Sequence, residues 1–177
     1  VDNLDSDDGV SPGDLDIFFS GDTDAWIAAA NTIKARLMLH VAHVNEDPVA
    51  DIDFSSVYQS TLNGINDPSG DMIAPHGSAL EVDANPFYQF RSERSDDLTA
   101  GNSYAASLLD EATDFYRGNT KTDESERFAH YFIGESPNYD MAGNASTDDG
   151  VAGRFFSRAA DYPLVTHAEN ELIKAEA

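Results

Sequence analysis

Residues 14–44 read DLDIFFSGDTDAWIAAANTIKARLMLHVAHV. An aromatic-rich extended segment, DIFF, meets a Ser-Gly-Asp turn, after which no Gly or Pro interrupts the chain as far as Val44. That pattern predicts one long helix over residues 22–44. Asp22 or Asp24 can cap its start, because a carboxylate accepts from free backbone N–H groups and is favoured by the helix dipole. Trp26, Ala30, Ile33, Leu37, Val41 and Val44 recur at three- or four-residue spacing, with Ile27 and Met38 widening the stripe. Asn31, Lys34 and Arg36 lie off its centre, so the helix is expected to bury the stripe and keep these three at its margin.

Working outward, residues 1–13 are acidic and rich in Gly and Ser, and are expected to form a lead-in loop before the domain at 14–177. Asn45 and Pro48 end the long helix. Residues 51–62 suit a short helix, and residues 63–86, punctuated by NDPSG, an irregular connection. NPFYQF at 85–90 is expected to be extended. A helix is expected over 101–117, with Tyr104, Leu108, Ala112 and Phe115 on one face, then a buried short aromatic helix or turn within 123–132. Residues 134–153 read as a loop. A last amphipathic helix is expected from Pro163 onward, with Ala168, Leu172 and Ala175 on one side; it is still in pattern at Ala177, as in a piece of a longer protein.

The chain carries 33 Asp and Glu against 10 Lys and Arg, a net charge of −23 over 177 residues. A surface of that sign repels nucleic acid and anionic headgroups, which excludes both as direct ligands. Lys34, Lys121 and Lys174 are its only lysines. Self-repulsion destabilises the compact state at low salt and screening relieves it, so the composition points to a saline habitat. Urea melts at rising NaCl test this: the midpoint should climb towards molar salt, and a flat series removes the inference. Cysteine is absent, so disulfides and thiolate metal sites are excluded for these residues. No apolar run reaches the length of a membrane span.

Three segments carry a family pattern. The first is Phe18, Gly21-Asp22, Trp26 and Ala30-Asn31-Thr32-Ile33-Lys34 with Arg36. The second pairs NPFYQF (85–90) with ESERFAHYF (124–132), the latter lacking the family's usual Pro. The third is YPLVTHAENELIKAEA (162–177), with Pro163, Thr166, His167, Ala168, Glu169, Leu172, Ala175, Glu176 and Ala177 in matching positions. With these, the chain resembles the SusD/RagB family of surface nutrient-binding lipoproteins. The resemblance implies a mainly α fold, a piece of a tetratricopeptide-like helical superhelix with long irregular loops. It implies non-enzymatic capture of oligosaccharides, or of peptides in some branches. It also implies a SusC-like TonB-dependent transporter as partner at the outer membrane, and lipid anchoring in a longer parent. A scaffold role towards the transporter stays open, as does an acidic secreted polysaccharide hydrolase or its accessory domain. The resemblance assigns Asp22, Trp26, Asn31, Arg36 and Glu169 to the structural motif. Trp26 is expected in the core, and Asn31, Arg36 and Glu169 in hydrogen bonds and ion pairs with neighbouring segments.

Sugar binding calls for aromatic faces beside amide and carboxylate groups. Two segments mix them: Phe87, Tyr88, Gln89, Arg91 and Asp96; and Asn138, Tyr139, Asp140 and Asn144. Tyr139, framed by Pro, Asn, Asp and Gly and claimed by no apolar period, is the expected sugar platform. Its replacement by Ala should then spare stability. No cofactor is expected. His40 and His43, near Glu46 and Asp47, have a spacing that a zinc site can use, but a bare His-x-x-His is unspecific and fits a helix C-terminus equally well. DNLDSDDG at 2–9 and Asp148–Gly150 offer clustered carboxylates for weak Ca2+ association only, since neither has the register of a calcium loop.

Overall fold

The computed structural model describes residues 11–44, 53–94, 97–119, 121–143 and 154–177. They are mainly helical. Six α-helices accompany four short strands, and the chain divides into two compact units: Val1–Ala74 with Pro163–Ala177, and Pro75–Tyr162.

In the first unit, helix α1 (Thr23–Val44) packs against α2 (Phe54–Thr61) and α6 (His167–Glu176). Its start is built by two aspartates. Asp22 Oδ1 accepts from the amides of Asp24 and Ala25 at 3.0 and 3.1 Å, which makes Asp22 the cap. Asp16, six residues earlier, organises the turn that delivers the chain to it. Its Oδ2 accepts from Gly21 N (2.9 Å) and the Trp26 indole N–H (2.7 Å), and its Oδ1 from Phe18 N (3.0 Å). Gly21 has φ +81°, a conformation that a side chain resists. Phe18 and Phe19 meet the Trp26 ring edge-on at 5.9 and 5.3 Å. The half-buried Trp26 thus links the extended segment to the helix rather than sitting deep in the core.

Partial burial opposes ionisation of Asp16, but the bonds from Trp26, Gly21 and Phe18 outweigh it and hold its carboxyl below the ordinary range. A group depressed in the folded state contributes stability above its unfolded value, about 3.9, and loses it as pH falls through the folded value. Trp26 is the only tryptophan and so reports the event. Its emission should change with a midpoint below about 3.9 in the native protein, and the step should vanish in Asp16→Asn. A midpoint above that value, or a step that survives the substitution, overturns the assignment.

The buried face of α1 is not the expected stripe. Ala29, Asn31, Thr32, Ala35 and Leu39 are buried, whereas Leu37 is 58% exposed. The small residues let α2 and α6 approach closely, so Ala35 and Leu39 pack with Val57 and Ile173, and Ala29 with Ile65 and Val165. Asn31 donates to Ile27 O (3.0 Å) within its own helix. Arg36 makes a bidentate ion pair with Glu169 and donates to Leu164 O (3.1 Å), which ties α1 to the start of α6.

The last helix is also corrected. Tyr162–Val165 is strand β4, paired with β1 (Met72–Ala74), and α6 begins only at His167. Thr166 sets that boundary, its Oγ1 accepting from Glu169 N (3.1 Å). Asn170 and Ile173 face inward, while Leu172 is 72% exposed.

One polar clasp closes this unit. Asn170, 1% exposed, donates through Nδ2 to Thr61 O (3.0 Å) and Ile65 O (3.1 Å). Its Oδ1 lies 3.4 Å from Thr32 Oγ1, which in turn accepts from Ile65 N (3.0 Å). Gly64 is required beside it, since a Cβ there would collide with both Asn170 Oδ1 and Thr32 Oγ1.

In the second unit NPFYQF is helical, not extended. Asn85 Oδ1 accepts from Phe87 N and Tyr88 N, Pro86 takes the first helical position, and α3 runs Pro86–Glu93. The helix expected over 101–117 stops at α4 (Tyr104–Leu109). Asp110 is extended (ψ 112°) and its Oδ1 captures Ala112 N (2.9 Å), while Thr113 Oγ1 donates back to Ser107 O (2.5 Å). These local bonds compete with the helical ladder and fold 110–116 back as turns. Helix α5 (Ser125–Tyr131) leads into β2 (Phe132–Ile133), which pairs antiparallel with β3 (Asp140–Met141), so the loop expected over 134–153 contains a strand.

Candidate functional site

The second unit contains a cleft built where α4, its folded-back turns and the 136–139 segment meet. Tyr104 opens α4 after Ser103, whose hydroxyl caps the helix by accepting from Ala106 N (3.2 Å). The turns set by Asp110 and Thr113 return Phe115 to Tyr104, with ring centroids 5.6 Å apart and planes at 74°. Asn102 N donates to Pro137 O (2.8 Å), which fixes the opposite wall. The open cleft has a volume of about 440 Å3, within the range of about 300–1,000 Å3 usual for small-molecule sites.

Tyr104 and Phe115 are 59% and 53% exposed. They offer two aromatic faces at the cleft, with Asn102, Ser103, Ser107, Thr113, Asp114 and Ser136 supplying polar groups around them. Tyr139 also lines the cleft but is only 3% exposed. Its hydroxyl donates to Asp110 Oδ2 (2.8 Å), and its ring meets Phe128 edge-on at 5.9 Å. Burial, reinforced by the Asp110 carboxylate, pushes the phenol above its ordinary value, so it stays protonated at neutral pH. Tyr139 is therefore an anchored part of the wall and not a free platform, and the expectation that Tyr139→Ala spares stability is corrected by its burial.

The other sequence-derived candidates fall elsewhere. Tyr88 is buried, with the Arg158 guanidinium 5.5 Å above its ring. Arg91 is 5% exposed and bonded to Asp140 Oδ2 at 2.6 Å, joining α3 to β3. Neither lines the cleft. Gln89 bridges Glu81 N and Ala84 O as a loop staple. Phe87 joins a ring cluster with Phe156 and Tyr162. Asn138 is exposed next to Tyr139. Asp96, Asn144, the acidic runs at 2–9 and 148–150, Glu46 and Asp47 lie outside the described residues, as does the His43 side chain. Among the described residues no group of three or more His, Asp or Glu is placed to hold a metal ion, and no helix is long and apolar enough to cross a membrane.

Sequence reasoning missed Tyr104 and Phe115 because helical spacing placed both on one face of a single helix. Two further clefts, of about 520 and 430 Å3, lie in the first unit. They are lined by groups such as Gln59 and Asn63 and contain no aromatic ring.

No match was found among curated proteins or among solved structures. A family model for SusD-like proteins, described as starch-binding and associating with the outer membrane, matches residues 1–177, the whole sequence. The chain belongs to that SusD-like family.

Proposed function

We propose that this protein captures oligosaccharides at the outer face of the outer membrane without turning them over, and that the sugar docks in the Tyr104–Phe115 cleft. The observation that carries this reading is the pair of half-exposed rings standing 5.6 Å apart at a polar cleft. Aromatic faces cover the apolar side of a pyranose while hydroxyls, amides and a carboxylate meet its hydroxyl groups. The family description, starch-binding and associating with the outer membrane, agrees in both ligand class and location. Within the same proposal belong hand-over to a SusC-like TonB-dependent transporter, lipid anchoring through a longer parent, and a tetratricopeptide-like continuation of the helices. The acidic composition supports a saline setting.

A calorimetric screen of the protein against neutral oligosaccharides and oligopeptides, at about molar salt to screen its self-repulsion, tests the reading. Chromatography of the recovered ligand accompanies it. Saturable binding of a glycan recovered intact is the expected result. Binding of peptides alone, or shortened glycan in the recovered ligand, overturns it.

A further inference from the structure

The polar groups of the cleft are unequal in what they can still offer a ligand. Ser107 Oγ already donates to Tyr104 O (2.8 Å) and Thr113 Oγ1 to Ser107 O (2.5 Å). The Tyr139 hydroxyl donates to Asp110. A hydroxyl has one proton and two lone pairs, so a group whose proton is spent inside the protein has only acceptor capacity left. The Asp114 carboxylate adds acceptor oxygens, and among the described residues no Lys, Arg or His lines the cleft. The net charge of −23 gives the protein a negative field overall, of the same sign as Asp114.

From these observations we infer that the cleft selects its sugar by charge, with Asp114 as the discriminating residue. Sugars bearing amino groups are favoured, neutral sugars are accepted, and uronate or sulfated sugars are turned away. A ligand carboxylate meets the like charge of Asp114 with no cationic side chain among the described lining residues to act as counter-ion. An ammonium group brings three donors and the opposite charge. The inference rests on the cleft being the glycan site proposed above.

The test uses three glucose oligomers of equal length: the neutral form, its 6-amino-6-deoxy counterpart and its C6-oxidised uronate. Affinities are measured calorimetrically at about 0.1 M and about 1 M NaCl. At the lower salt the uronate should bind at least about tenfold more weakly than the neutral form, and the amino form more tightly than either. The spread between amino and uronate forms should shrink by about threefold or more at the higher salt and again in Asp114→Asn. A uronate that binds as well as the neutral oligomer overturns the charge selection and leaves the glycan site standing. A spread that responds neither to salt nor to Asp114→Asn overturns it too, whereas binding of none of the three removes the glycan site itself.

Discussion

Asn170→Ala should lower the stability of the protein by about 3 kcal/mol, from the loss of buried hydrogen bonds and a side-chain cavity together. The side chain is 1% exposed and joins three segments: the end of α2 through Thr61 O, the following loop through Ile65 O, and α1 through Thr32. Alanine leaves both carbonyls without their amide donor in a space closed to water, so the cost exceeds the net worth of two ordinary hydrogen bonds. Asn170→Asp should be worse at neutral pH. It preserves the shape but turns a carboxylate towards two carbonyl oxygens, an unpaired buried charge. Urea unfolding followed through Trp26, which lies in the same unit, measures both. A midpoint for Asn170→Ala within about 0.5 kcal/mol of the native protein, the range of ordinary surface substitutions, would show that the clasp is decorative.

This clasp also shows where sequence reasoning reached and where it stopped. The long helix was legible: an aspartate cap and an uninterrupted run over 23–44 settle it. Its buried face was not, because periodicity weights large apolar side chains. Here the decisive residues are Ala29, Thr32 and Ala35, chosen for closeness of approach, while Leu37 and Leu172 face outward. Asn170 has no partner within reach in the sequence, and only the folded chain brings Thr61 and Ile65 to it across more than 100 residues. Two boundary errors had local signals that were available. Asn-Pro at 85–86 is a cap followed by a first helical residue, and Thr166 with Glu169 is a capping pair. The break at Asp110 was harder, since its side chain draws an amide that a helix would have used.

The candidate site divides the same way. Tyr139 stood out because no apolar period claimed it, and it does line the cleft, yet its ring is covered and its hydroxyl held by Asp110. The exposed rings are Tyr104 and Phe115, eleven positions apart and therefore on one face of the helix that was expected there. Ending that helix at Leu109 changes what the two residues are for. They become a pair of surface aromatics held edge to face.

Removing that pair, with Tyr104→Ala and Phe115→Ala together, should therefore weaken oligosaccharide binding by about a hundredfold, close to 3 kcal/mol for two aromatic faces. Because both rings are more than half exposed, the double variant should unfold within about 1 kcal/mol of the native protein. Tyr139 gives the contrasting case. Tyr139→Ala empties a buried site and should cost about 3 kcal/mol or more of stability, so a binding loss in that variant says little about contact with sugar. Tyr139→Phe keeps the ring against Phe128 and removes only the bond to Asp110; it should cost about 1 kcal/mol. Calorimetry on the double variant and on Tyr139→Phe, with unfolding curves for each, separates contact from support. Native-like affinity in a folded Tyr104/Phe115 double variant would move the ligand off this cleft. Loss confined to the double variant would place the sugar on the two rings that the break at Asp110 brings together.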